Sequence, residues 1–146
     1  MQVCVLKSEM ELSEVAEVLL QLRPQYTLET LINQIRVQRK QGYQIAYVKS
    51  DNQVLCVAGF VVGNKLAWGK HVYIDDLATN ENCRSEGIGS LMIEWFKSYC
   101  KNNGYAQLHL DSGVQKFAAH RFYLNNRFNI ASHHFSITKI VANELG

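Results

Sequence analysis

The sequence predicts a mixed α/β fold, an α+β mixed sheet in the order β-α-α-β-β-β-α-β-α-β. Three observations predict it. Apolar stretches with strand character alternate with segments of helical period. The turns between them are short, and there is one proline in 146 residues. Length and composition fit one domain over residues 1–146, since domains commonly run to about 100–150 residues.

Residues 3–6 (VCVL) read as a short strand. Ser8 and Glu11 have the spacing of a capping box, followed by Val15, Val18, Leu19 and Leu22 at helical spacing, with Pro24 as the stop. A second helix starts at Thr27, buries Leu28, Leu31, Ile32 and Ile35, and ends at Gly42. Residues 43–49 read as a strand, and Ser50-Asp51-Asn52 as a turn. Residues 54–62 form a near-continuous apolar run, the mark of a strand covered on both faces. Residues 71–79 are the next strand.

Ile88, Leu91, Met92, Trp95, Phe96 and Tyr99 recur with helical period, and Gly104 closes that helix. Residues 105–111 alternate as a strand, 115–126 read as a helix, and 128–137 as one or two final strands. Trp68 and Trp95 are expected to be packing residues.

Net charge is +2, and no run of Lys and Arg exceeds two. Nucleic-acid readers concentrate basic charge on a stripe, so no nucleic-acid partner is expected. No apolar run is long enough to span a bilayer, and no membrane partner or leader is expected. The four cysteines form no C-x-x-C pair, which suits reduced thiols in the cytoplasm. His109, His120, His133, His134 and Asp111 match no zinc-ligand spacing, so no metal is expected.

Gly87 and Gly89 open a helix, where glycine costs stability. A glycine loop at a helix N-terminus can cradle an anion, because the first N–H groups lack internal acceptors and no Cβ blocks approach. A plain tight turn of small residues explains the glycines equally well. Two phosphate loops are excluded. Gly89 is followed by Ser90-Leu91 rather than the Lys-Ser/Thr of a Walker A loop. Met92 stands where a dinucleotide fingerprint needs its third glycine.

Arg84-Ser85-Glu86-Gly87-Ile88-Gly89 matches [QR]-x-x-G-x-[GA], and Ala119 to Phe128 is similar to A-x-x-F-Y-x-x-x-G-F. On these segments and the element order, the chain resembles the GNAT superfamily of N-acetyltransferases. The resemblance implies acetyl-CoA as cosubstrate and an amine acceptor, either a small molecule or a protein. It places the pyrophosphate on Arg84, Ser85, Glu86, Gly87, Ile88, Gly89 and Ser90. It places the pantetheine arm and the oxyanion along Leu77, Ala78 and Thr79.

A lysine-like amine has a pKa of about 10.4, so transfer needs a base. Asp75 and Asp76 are the candidates, and strand alternation would turn at most one of them into the cleft. Tyr123 stands where the family places its general acid. Tyr26, in the loop between the first two helices, and His120 are expected at the acceptor site. The sequence departs from the pattern in three places. Lys116 replaces an asparagine, Arg127 a glycine, and Ser85-Glu86 a Gly-Lys or Gly-Arg. The apolar stretch 128–141 would allow a homodimer. The alternative function is a non-catalytic acyl-CoA-binding or protein-interaction module on the same fold.

Overall fold

The computed structural model describes residues 2–83 and 87–141. The chain divides into two compact units, Met1–Leu110 and Asp111–Gly146.

The first unit runs β1 (Gln2–Val5), α1 (Leu12–Leu22), α2 (Leu28–Lys40), β2 (Gln44–Ser50), β3 (Gln53–Lys65), β4 (Gly69–Thr79), a 3₁₀ turn (Glu81–Cys83), α3 (Ile88–Asn103) and β5 (Gln107–Leu110). The strands lie in sequence order in one sheet, antiparallel except for the parallel β4–β5 pair. Asp51 and Asn52, both at positive φ, close a two-residue β2–β3 hairpin, a geometry that Asn and Asp tolerate.

Side-chain alternation splits the sheet into two covered faces. On one, Ile45, Val57 and Ala78 join Val15, Leu19, Leu31 and Ile35 of α1 and α2 in one apolar core. On the other, Phe60 meets Trp95, Phe96 and Tyr99 of α3 edge to face. The buried stripe of α3 is Ile88, Met92, Ile93, Phe96 and Cys100, while Leu91 is exposed.

One local expectation, the capping box of Ser8 and Glu11, fails here. α1 begins without a side-chain cap, and Glu11 pairs with Lys49 of β2 at 2.8 Å. The capping box lies on α2 instead, where Thr27 and Thr30 cap each other reciprocally.

The second unit carries α4 (Phe117–Asn125), which ends in a Schellman motif. The Phe128 amide donates to the Tyr123 carbonyl and the Arg127 amide to that of Leu124, with Arg127 at φ 73°. Phe128 packs on Tyr123, completing the motif's apolar contact. The expected strands over 128–137 do not form among the described residues, so the final β of the expected order is missing there. Ile130, Phe135 and Ile137 supply strand propensity, but they are exposed. A strand needs a ladder partner as well as propensity.

Candidate active site

The β3–β4 pairing sets the site. Gly59 faces Asp76 and Phe60 faces Ile74, so Asp75 is an extra residue with no partner on β3. This is a β-bulge, which re-aims side chains. It reverses the alternation and turns Asp76 onto the same face as Asp75. Both carboxylates therefore line one cavity of about 240 Å³, correcting the expectation that at most one would. The parallel pairing with β5 reaches only Ile74, opposite Leu110. Beyond it, β4 is paired with β3 alone among the described residues.

The cavity's other walls come from α1, α2 and the loop joining them. Tyr26, expected at the acceptor site, lines it, as do Arg23 and Gln25 from the same loop. Gln34 and Gln38 of α2 share a hydrogen bond of 2.9 Å. They lie one helical turn apart, which puts both on the cavity side.

Asp76 is held tightly. Arg23 Nε and Nη2 each lie 2.9 Å from its Oδ1, and the Tyr43 hydroxyl donates to its Oδ2 at 2.7 Å. The Arg23 Nη2 also donates to the Asp75 carbonyl at 3.1 Å, pinning the bulge itself. Burial pushes the Tyr43 hydroxyl well above the usual tyrosine pKa, and the Asp76 charge adds to this. The Asp75 carboxylate makes no hydrogen bond or ion pair among the described residues. Partial burial raises its pKa first and the Asp76 charge second, while Arg23 opposes both.

Asp75, Asp76 and Tyr26, expected at the site, line the cavity, and so do Arg23, named in the sequence only as part of the Tyr26 loop, and Tyr43, which was not singled out. One signal was available for Arg23, a lone cation in the short turn between two apolar helices. Tyr43 carried none, because it reads as an ordinary strand residue.

Leu77, Ala78 and Thr79 continue β4 past the bulge, opposite Ala58, Val57 and Cys56. Ala78 is buried, and the Thr79 hydroxyl contacts the Cys56 sulfur at 3.8 Å. Burial pushes the Cys56 thiol up to about 11. Next in the chain, Arg84, Ser85 and Glu86 lie outside the described residues. Gly87 caps α3 at φ 72°, a left-handed conformation that suits glycine. A Cβ built there meets nothing within 4 Å among the described residues. Ile88, Gly89 and Ser90 form the first turn of that helix, where N–H groups point along the positive end of the dipole. These residues fit the phosphate cradle that the glycine loop suggests.

In the second unit, Tyr123 lies on α4, its ring edge against Phe122 and Phe128. His120 Nε2 lies 2.7 Å from the Gly113 carbonyl, and His134 lies 3.6 Å from Asp111. Among the described residues no three His, Cys, Asp or Glu side chains are grouped to hold a metal ion. No described helix is long and apolar enough to cross a membrane.

Residues 10–127 match the acetyltransferase (GNAT) family. An uncharacterized N-acetyltransferase of Bacillus subtilis (strain 168), YhdJ, is 27% identical over 132 residues, covering 89% of this chain and 93% of its own. The fold is similar to that of a transcriptional regulator from Bacillus halodurans C-125, with TM-score 0.81 and 17% identity over 94% of this chain and 100% of that one. It is also similar to the aminoglycoside N-acetyltransferase AAC(6')-Iy, solved in complex with CoA, with TM-score 0.79 and 10% identity over 94% and 95% of the two chains. With residues 10–127 matched to the family model and the fold shared with a solved N-acetyltransferase, the chain belongs to the GNAT family of acetyltransferases.

Proposed function

We propose that residues 1–146 act as one N-acetyltransferase domain, moving the acetyl group of acetyl-CoA to a primary amine by direct attack in a ternary complex. The acceptor is a small molecule or the amine of a protein, met in the cytoplasm. One observation carries this reading. The bulge brings Asp75, a carboxylate without a hydrogen-bond or ion-pair partner among the described residues, into a cavity just past the last β4–β5 pair, Ile74 opposite Leu110.

In this reading, the ammonium of the acceptor enters the cavity beside Asp75. Asp75 takes one proton, directly or through a water, and frees the nitrogen lone pair. The amine then attacks the thioester carbonyl. A β4 backbone N–H at Leu77, Ala78 or Thr79 stabilises the oxyanion, and the same strand edge holds the pantetheine arm. The C–S bond breaks as the carbonyl re-forms, and Tyr123 donates its phenolic proton to the leaving thiolate. The surplus proton on the new amide nitrogen leaves through water and restores the phenol, and Asp75 releases its own proton to solvent. Residues 84–90 hold the pyrophosphate at the start of α3.

Calorimetric titration with acetyl-CoA, beside a Gly87→Glu variant, tests the first half of this reading. Binding by the intact protein that the variant loses supports the cradle. No binding, or equal binding by both, overturns it. Thiol release with an amine panel then tests transfer, with Tyr123→Phe expected to slow it.

A further inference from the structure

The two carboxylates of the cavity stand in different electrical states. Both oxygens of Asp76 are engaged, one by Arg23 and the other by Tyr43. Asp75 contributes only its backbone carbonyl to Arg23. Among the described residues, the formally charged side chains on the lining are Arg23, Asp75 and Asp76, with Tyr26 and Tyr43 its other titratable groups. Arg23 offsets one carboxylate, and these three groups together leave one negative charge. The rest of its polar surface is neutral. Gln25, Gln34 and Gln38 supply amides, and Tyr26 a phenol. The Gln34–Gln38 pair uses one donor and one acceptor internally and still carries further donors and an acceptor.

A single uncompensated carboxylate among neutral amides matches one ammonium on a neutral, hydrogen-bonding body. A second ammonium would lose its hydration beside the Arg23 cation and gain no anion in return. A cavity of about 240 Å³ suits a small acceptor or a chain end.

We propose that Arg23 is the specificity-determining residue of the acceptor site. By occupying Asp76, it sets the cavity for a primary amine with one ammonium on a neutral polar body, such as an amino sugar or an amino-acid amide, and against diamines. This rests on the acetyl-transfer reading above. Asp76 is then a positioning residue rather than a second base.

The test compares kcat/KM for glucosamine and glycinamide with that for 1,4-diaminobutane, by thiol release from acetyl-CoA. The wild type is expected to prefer both monoamines. Arg23→Gln frees Asp76, and the diamine-to-monoamine ratio is expected to rise about tenfold, the scale of one new charge contact in a partly exposed site. Arg23→Lys keeps the cation and leaves the ratio near wild type. Should Arg23→Gln fail to fold, Asp76→Asn removes the second carboxylate and is expected to lower the ratio.

A wild type that prefers the diamine, or that acetylates none of the three amines while binding acetyl-CoA, overturns the proposal. So does an Arg23→Gln variant in which both classes fall in parallel. Asp75→Asn separates the two readings. Unchanged turnover by that variant refutes Asp75 as the base, while the ratio measured with Arg23→Gln still decides the specificity proposal.

Discussion

The hydroxyl of Tyr43 occupies the space that a side chain on Gly59 would take. A Cβ at position 59 would fall 1.6 Å from the Tyr43 oxygen, and the same oxygen donates to Asp76. The strand that faces Asp76 across the bulge thus clears room for the residue that holds Asp76 in place.

Gly59→Ala is expected to destabilise the protein by about 1–3 kcal/mol, the usual cost of overpacking a filled site. Urea denaturation checks it. Tyr43→Phe in the Gly59→Ala background removes the hydroxyl oxygen, the nearest clashing atom, and leaves only the ring carbons at 2.2 and 2.6 Å, so the two effects are expected to be less than additive.

Tyr43→Phe alone keeps the ring and removes a hydrogen bond to a carboxylate, worth about 1.5–3 kcal/mol. Its pH dependence has a definite sign. The folded state raises the Tyr43 pKa, so the stabilisation is full below the unfolded value of about 10 and declines as pH rises above it. The stability gap between wild type and Tyr43→Phe should therefore narrow above about pH 10, as denaturation midpoints across pH would record.

Asp75→Asn is expected to lower kcat/KM by about 10²–10⁴-fold, the range for a lost general base. The base works ionised, so wild-type activity falls with acid through a pKa raised from the ordinary aspartate value by burial first and the Asp76 charge second. A variant retaining that acidic limb would show that another group sets it. The same raised pKa makes ionised Asp75 a cost to folding. Asp75→Asn should therefore melt higher than wild type at pH 7, with the difference vanishing below about pH 4.

Arg127 stands at φ 73° in the Schellman turn after α4, and Gly104 stands at φ 75° after α3. Left-handed backbone costs a non-glycine residue about 1–2 kcal/mol, and glycine's extra freedom in the unfolded chain returns part of that. Arg127→Gly should stabilise by about 0.5–1 kcal/mol, whereas Gly104→Ala should destabilise by a similar amount. Thermal melts of the two variants test the pair.

The sheet and the helices of the first unit were legible because their signals are local. The 54–62 run lies inside β3, and Thr27 and Gly104 mark helix ends where the sequence put them. Ser8 and Glu11 had the right spacing for a cap, yet Glu11 went to Lys49, 38 residues away. Spacing reports what a side chain can reach locally, and a distant partner can outbid it. Phe135 and Ile137 have strand propensity without a strand, because the ladder is a property of two segments.

The sequence by itself determined the order of the elements, the glycine at the start of α3, and the presence of two adjacent carboxylates on β4. Period, turn chemistry and residue type are written in neighbouring residues. Only the tertiary structure decided what those carboxylates do. Strand alternation alone sends Asp75 and Asp76 to opposite faces. The bulge against β3 brings them to one, and Arg23 and Tyr43, 53 and 33 residues away in the chain, engage Asp76 and leave Asp75 open. Register and long-range ion pairing depend on which segments meet, and no local pattern encodes that meeting.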